Sequence, residues 1–158
     1  MRGMPRLASA MLAVLLAGAC TTAPDPRRTA SQEIAAPSAV VRQRIMGFLE
    51  NRGFVIESED AQGLIARTGA VDPGWASCDV IFYNDPHAES GQLGSARPVL
   101  DAARLSVIVV PTGSGSRVDA RAAFSGTFVS RFSATARGTT CRSTGALEQT
   151  ILAVARGG

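Results

Sequence analysis

Residues 105–128, LSVIVVPTGSGSRVDARAAFSGTF, contain the two clearest strand patterns of the chain. Leu105–Val110 is a run rich in β-branched residues, which favour strands. A turn over 111–116 follows, and apolar and polar residues then alternate across 117–128. The residues predicted to face inward are Val118, Ala120, Ala122 and Phe124. Because successive side chains of a strand point to opposite faces, the stretch predicts two adjacent strands of a sheet with one buried face.

Further strands are predicted on the N-terminal side of this stretch. Residues 54–58 and 64–68 are β-prone and flank a turn with an early Asp and a late Gly, which is typical of a hairpin. A third strand is predicted over 77–83, and the Pro- and Gly-containing residues 84–100 are interpreted as an irregular loop. A short additional strand is predicted over 128–132.

A helix is predicted at each end of the folded region. Apolar residues at helical spacing predict one over 38–52, and Gly53 suits its C-terminal end. A second helix follows Ser143 or Thr144 as its cap. The expected class is α+β: a two-layer fold in which an antiparallel sheet of five or six strands carries both helices on one face. Residues 38–158 form one domain in this interpretation.

The first 20 residues have the pattern of an export signal. Arg2 and Arg6 supply positive charge, residues 7–16 are apolar, and small residues stand directly before Cys20. The apolar run is too short to span a bilayer. An ordinary cleaved signal peptide with a cysteine nearby is the alternative. Residues 21–37 are rich in Pro, Ala, Thr and Ser and are predicted to be a flexible tether.

The sequence LLAGAC ending at Cys20 resembles the lipobox of bacterial lipoproteins, with Ala17 where that family most often has leucine. The resemblance implies that residues 1–19 are removed and that Cys20 carries acyl chains such as palmitate. Thr21 is not an inner-membrane retention signal in that family. The implied location is the outer membrane, with residues 20–37 linking the lipid to a domain that faces the periplasm.

Charge and composition exclude several classes of function. The chain has 16 basic and 13 acidic residues, and removal of Arg2 and Arg6 with the signal leaves 14 against 13, a net charge of +1. That balance does not favour nucleic-acid binding. All basic residues are arginines, which excludes Schiff-base lysines, P-loop lysines and Ser-Lys dyads. No cofactor is expected.

With Cys20 assigned to lipid, Cys78 and Cys141 are the remaining cysteines. In an oxidising compartment an even pair predicts a disulfide. Two separate buried free cysteines are the alternative.

Catalytic and metal sites are weakly indicated. His87 is the only histidine and stands between Asp85 and Glu89, which could form a metal cluster or a catalytic base. Without a second histidine at ligand spacing, a solvated polar loop is favoured. The Gly- and Ser-rich residues 112–116 lack the helix and lysine of a phosphate-binding loop. We therefore expect neither a catalytic nor a metal site.

Arg117, Arg121 and Arg131 belong to a basic C-terminal third and are candidate interaction residues, for an acidic partner or an anionic surface. An ordinary charged sheet face is the alternative. Trp75 is a further candidate anchor if exposed, and caps the core or a loop if it is not.

A helix ending in Gly-Phe, a strand, an Asp-x-x-Gly turn and a Gly-Leu-Ile strand resemble the helix-grip domains of the lipoprotein subunit of the β-barrel assembly machine. The pattern covers residues 38–68. This resemblance implies a non-catalytic role in binding another envelope protein. The alternatives are a periplasmic binder of a small or lipidic ligand, supported by an apolar cleft on the uncovered sheet face, and an enzyme that uses His87 with Asp85.

Overall fold

The computed structural model describes residues 29–84, 93–129 and 136–158. The helices within these ranges are α1 (Ser38–Asn51) and α2 (Ala146–Arg156). The strands are β1 (Thr29–Ile34), β2 (Val55–Glu59), β3 (Gly63–Thr68), β4 (Ala76–Ser77), β5 (Ile81–Asn84), β6 (Leu93–Ala96), β7 (Val99–Thr112), β8 (Gly115–Val129) and β9 (Ala136–Ser143).

The long hairpin of β7 and β8 is the centre of a seven-stranded antiparallel sheet. The strand order is β2-β3-β7-β8-β9-β4, and β1 pairs with β8 as well. The predicted class, a mixed α+β fold with a large antiparallel sheet and two helices, is confirmed. The predicted count of five or six strands is wrong, because β1 and β9 contain too few apolar residues to be recognised by pattern.

The strand β1 corrects the predicted extent of the tether. The sequence predicts that residues 20–37 are flexible and that the domain starts at residue 38. In the structure, Thr29–Ile34 pairs with Ser116–Arg121 over six consecutive positions. Ile34 is the only buried residue of β1. Its strand conformation therefore depends on the hydrogen bonds that β8 supplies rather than on hydrophobic periodicity.

The predicted strand over 77–83 is divided in two. Ala76 and Ser77 pair with the end of β9, and the chain then leaves to form a separate hairpin of β5 and β6. Residues 93–96, predicted to belong to a loop, are the second strand of that hairpin. Of the predicted strand over 128–132, residues 128 and 129 end β8, and the others lie outside the described residues.

One buried cluster joins the two helices to the sheet. Val41, Ile45 and Leu49 of α1 are buried, as are Leu147 and Ile151 of α2. The helices contact each other, α1 contacts β7 and β8, and α2 contacts β1 and β8. The observed bounds of α1 agree with the predicted 38–52. Burial of such aliphatic side chains contributes about 1.5–3 kcal/mol each to folding.

Candidate interaction surface

The side chains of β8 separate cleanly into two faces. Val118, Ala120, Ala122 and Phe124 are buried on the helix side, as predicted. Arg117 and Arg121 lie on the other face and are exposed. Both helices pack against the first face, so the second face is the one that the described helices leave uncovered; we call it the open face.

An arginine pair lies near the middle of the open face. Arg67 of β3 is directly opposite Arg104 of β7 in the strand ladder, and both residues are exposed. Like charges in directly opposite positions destabilise a sheet. Neither arginine belongs to the predicted interaction residues, because their proximity depends on the register between two strands that are distant in sequence.

Two acidic residues stand beside these arginines at irregularities of the sheet. Glu57 has no partner where the β2–β3 register shifts, and Asp101 has none where the β7–β8 register shifts. Glu57 Oε2 accepts a hydrogen bond from Arg104 Nε at 2.9 Å. Asp101 accepts hydrogen bonds from the hydroxyls of Ser125 and Thr127. Each bulge therefore adds one carboxylate to the arginine-rich open face.

Hydrogen bonding changes the titration of Asp101. The Thr127 hydroxyl, then the Ser125 hydroxyl, and to a lesser degree the positive charge of Arg67, stabilise the carboxylate and lower its pKa from the ordinary value near 3.8. Asp101 is therefore ionised at neutral pH and contributes one negative charge to the open face.

Aliphatic side chains accompany the charges. Val55 is 69% exposed and lies opposite Arg67, and Ile108 of β7 is 44% exposed. Ile65 of β3, also on this face, is half-buried. The open-face patch is defined here as Val55, Ile65, Arg67, Arg104 and Ile108. Arginine is enriched in protein–protein interfaces, and the exposed aliphatic groups add apolar area that a partner can bury.

The pairing of the sheet is interrupted on the side of β8 that faces away from β7. β1 pairs with β8 as far as Arg121, and β9 begins to pair at Phe124, so Ala122 and Ala123 have no partner on that side. The fully buried carboxylate of Glu148 fills the gap from α2 and accepts a hydrogen bond from the Ala122 N–H at 3.3 Å. The Ser143 hydroxyl lies 2.9 and 3.0 Å from the two oxygens of the same carboxylate.

This use of Ser143 changes the start of α2. The sequence predicts Ser143 or Thr144 as the helix cap, whereas Gly145 occupies the cap position with φ 87°. The Thr144 hydroxyl accepts a hydrogen bond from the Ala146 N–H at 3.3 Å. The Ser143 hydroxyl is engaged by Glu148, and it also accepts a hydrogen bond from the Gly145 N–H at 3.0 Å.

A cleft of about 470 Å³ opens above the gap. Its lining residues, which define the gap cleft, are Asp79, Arg121, Ala122, Ala123, Thr140, Cys141 and Arg142. Arg142 Nη2 and Asp79 Oδ2 form an ion pair at 2.8 Å. Arg121 forms no ion pair among the described residues, in contrast to Arg117, whose Nε lies 3.2 Å from Asp119 Oδ2.

The other candidate interaction residues have different positions. Arg131 lies outside the described residues. Trp75 is half-buried against the core, and its ring centroid is 6.1 Å from that of Phe54. This position supports the core-capping alternative for Trp75, and we do not include it in the open-face patch.

The paired cysteines lie close to the gap cleft. The sulfur atoms of Cys78 and Cys141 are at disulfide distance, with their Cα atoms 4.4 Å apart. The bond links the segment after β4 to β9. Gly126 lies beside it, and a Cβ added there would lie 3.0 Å from Cys141 Sγ and 3.2 Å from Cys78 Sγ.

Cys20 and His87 lie outside the described residues. Within residues 29–84, 93–129 and 136–158, no group of three His, Cys, Asp or Glu side chains could hold a metal ion. In the same part of the chain, neither helix has the length and apolar character that crossing a bilayer requires.

Comparison of the chain with known protein families, with curated proteins and with solved structures finds no match. The candidate surface therefore rests on the geometry described above.

Proposed function

We propose that this protein is a non-catalytic lipoprotein of the bacterial outer membrane, anchored through Cys20, that binds another envelope protein with its open face. The observation that carries the proposal is the open-face patch, in which exposed Val55 and Ile108 flank the Arg67–Arg104 pair. The resemblances to the lipobox and to helix-grip domains support the anchor and the binding role.

The charges of the open face favour a protein partner over a polyanion. Arg104 is paired with Glu57, Arg117 with Asp119, and Asp101 stands near Arg67. The face is therefore mixed in sign rather than uniformly basic. Aliphatic contacts provide affinity when such a surface is desolvated, and the arginines provide specificity.

A photo-crosslinking amino acid at Ile108 tests the proposal in cells that produce the full chain. The matched control places it at Val40, which is 39% exposed on α1. We expect an envelope protein to be crosslinked from position 108 and not from position 40. Crosslinks of equal yield from both positions, or from neither, would contradict the proposal.

Charge reversal locates the partner on the patch. Arg67→Glu with Arg104→Glu should abolish the crosslink from position 108. Arg52→Glu is the control, because Arg52 is an exposed arginine at the end of the helix layer. Thermal unfolding of each variant shows whether the fold is retained.

A second candidate function is the binding of a small or lipidic ligand on the same face. The gap cleft has a volume within the range of ligand pockets. Its rim carries Arg121 and Arg142 rather than apolar side chains, which is why this candidate stands second. Recovery of a bound small molecule, with no crosslinked protein, would favour it.

A further inference from the structure

We propose that the gap cleft binds the phosphate of an anionic phospholipid headgroup at the membrane surface. The inference rests on the proposed anchor at Cys20, and it assigns to Arg121 and Arg142 a role separate from the open-face patch. It concerns the edge of the sheet at β8 and β9, whereas the patch lies on β2, β3 and β7.

The gap cleft presents two guanidinium groups to an anion. Arg121 and Arg142 both line it, and Thr140 is an exposed lining residue. Guanidinium groups bind phosphate oxygens with two parallel hydrogen bonds. The small, exposed side chain of Ala123 leaves room for the headgroup.

Arg121 differs from three other arginines of the open face in its ion pairing. Arg104, Arg117 and Arg142 each have an acidic partner within 3.2 Å. Arg121 has none among the described residues, although it is exposed on the same face. Arg121 and Arg142 each carry one positive charge and Asp79 carries one negative charge, so the net formal charge at the rim of the cleft is one positive unit. This charge suits a singly charged phosphodiester rather than a multiply charged polyanion.

The cleft also lies close to the N-terminal end of the described chain, on the side of the proposed anchor. The described chain begins at Thr29, which is paired with Arg121 across the ladder. Cys20 precedes Thr29 by nine residues, and such a segment spans at most about 30 Å when fully extended. The gap cleft therefore lies beside the point at which the chain from Cys20 enters the described fold, and the β2 edge lies at the opposite side of the sheet.

The experiment uses the full chain reconstituted into lipid vesicles. Thr140→Cys supplies a thiol at the cleft, and Gln43→Cys supplies one at an exposed position of α1. The labelling rate of each thiol by a water-soluble maleimide is compared between phosphatidylcholine vesicles and vesicles that contain one-third phosphatidylglycerol.

We expect phosphatidylglycerol to slow labelling at position 140 by about fivefold or more, because each arginine near an anionic surface strengthens attachment severalfold. Labelling at position 43 should be equal in both vesicles. Arg121→Gln with Arg142→Gln should abolish the difference at position 140, and Arg117→Gln, which alters a neighbouring ion-paired arginine, should preserve it.

Equal labelling of position 140 in the two vesicles would overturn the proposal. Inorganic phosphate added to the phosphatidylcholine vesicles distinguishes a lipid headgroup from free phosphate as the source of the anion. If free phosphate protects the thiol at position 140 from labelling as strongly as phosphatidylglycerol does, the site binds free phosphate and the lipid assignment is overturned. Flotation with the phosphatidylcholine vesicles reports the anchor alone. Failure to float therefore contradicts the proposed function, whereas floating without protection contradicts only the cleft.

Discussion

The carboxylate of Glu148 accepts the Ala122 N–H at the one place where β8 lies between the ends of β1 and β9. A side chain from α2 thus substitutes for a neighbouring strand. The Ser143 hydroxyl supports the same carboxylate, and the three groups connect the sheet, the end of β9 and the last helix.

Glu148→Leu should lower the free energy of unfolding by about 1–3 kcal/mol, because it leaves the buried Ala122 N–H without an acceptor and removes the acceptor of the part-buried Ser143 hydroxyl. Glu148→Gln keeps an oxygen acceptor and should lose less. Urea unfolding of the two variants measures the difference. A leucine variant as stable as the natural protein would show that the hydrogen bonds at the gap do not stabilise the fold.

Removal of the Cys78–Cys141 bond should destabilise the protein by about 4 kcal/mol in the chain-entropy treatment, since the cysteines are 63 residues apart. The double variant Cys78→Ser/Cys141→Ser tests this by thermal or urea unfolding. The natural protein treated with a reductant should show the same loss. If the double variant and the oxidised protein unfold at the same midpoint, the bond does not constrain the unfolded chain.

Gly126→Ala should destabilise by about 1–3 kcal/mol through overpacking, because the added methyl group would lie 3.0 Å from both Cys141 Sγ and the Val99 carbonyl oxygen. Gly138→Ala is the matched control on the neighbouring strand β9, where a Cβ meets nothing within 4 Å. We expect the control to be neutral or slightly stabilising. Calorimetric unfolding of both variants makes the comparison, and equal effects would contradict it.

Asp101 should make stability depend on pH in the acid range. Its pKa is lower in the folded protein than the ordinary value near 3.8, chiefly because the Thr127 hydroxyl donates to it. The contribution of ionised Asp101 to the free energy of unfolding is therefore present above about pH 4. It is lost as the pH falls through the pKa that Asp101 has in the folded protein. Thr127→Val should raise the pKa of Asp101 and flatten the acid decline, measured by carboxyl NMR titration and by urea unfolding between pH 6 and pH 2.5. An unchanged titration would exclude Thr127 as the cause.

Arg67→Gln should weaken the binding of the partner and leave the stability of the fold nearly unchanged. The substitution removes the repulsion between Arg67 and Arg104 and also the attraction between Arg67 and Asp101. Because these two effects oppose each other, the free energy of unfolding should change by less than about 0.5 kcal/mol. Crosslinking from position 108 should nevertheless decrease. Loss of crosslinking together with a large loss of stability would assign Arg67 a structural role instead.

The parts of the fold that the sequence predicts are those with strong local patterns. Helical spacing of Val41, Ile45 and Leu49 places α1 within one residue of its observed end. The alternation across residues 117–128 places Arg117 and Arg121 on the open face. The strand β1 is missed because a single buried residue, Ile34, carries no period, and its conformation is imposed by a distant strand.

The candidate surface could be predicted only in part for the same reason. The alternation of side chains along β3 predicts the face on which Arg67 lies. Its position opposite Arg104 depends on the register between β3 and β7. The gap beside Ala122 follows from where two strands stop, and the role of Glu148 follows from that gap. Neither the gap beside Ala122 nor the role of Glu148 is indicated by a periodic pattern in the sequence.

The pairing of β1 with β8 has a consequence for the order of folding. The first strand of the domain finds its partner only about 80–90 residues later in the chain, and such non-local pairing slows folding. During synthesis the segment 29–34 emerges early and must remain unpaired until the β7–β8 hairpin has formed. Its low apolar content, one buried residue in six, lessens the risk that this waiting segment aggregates.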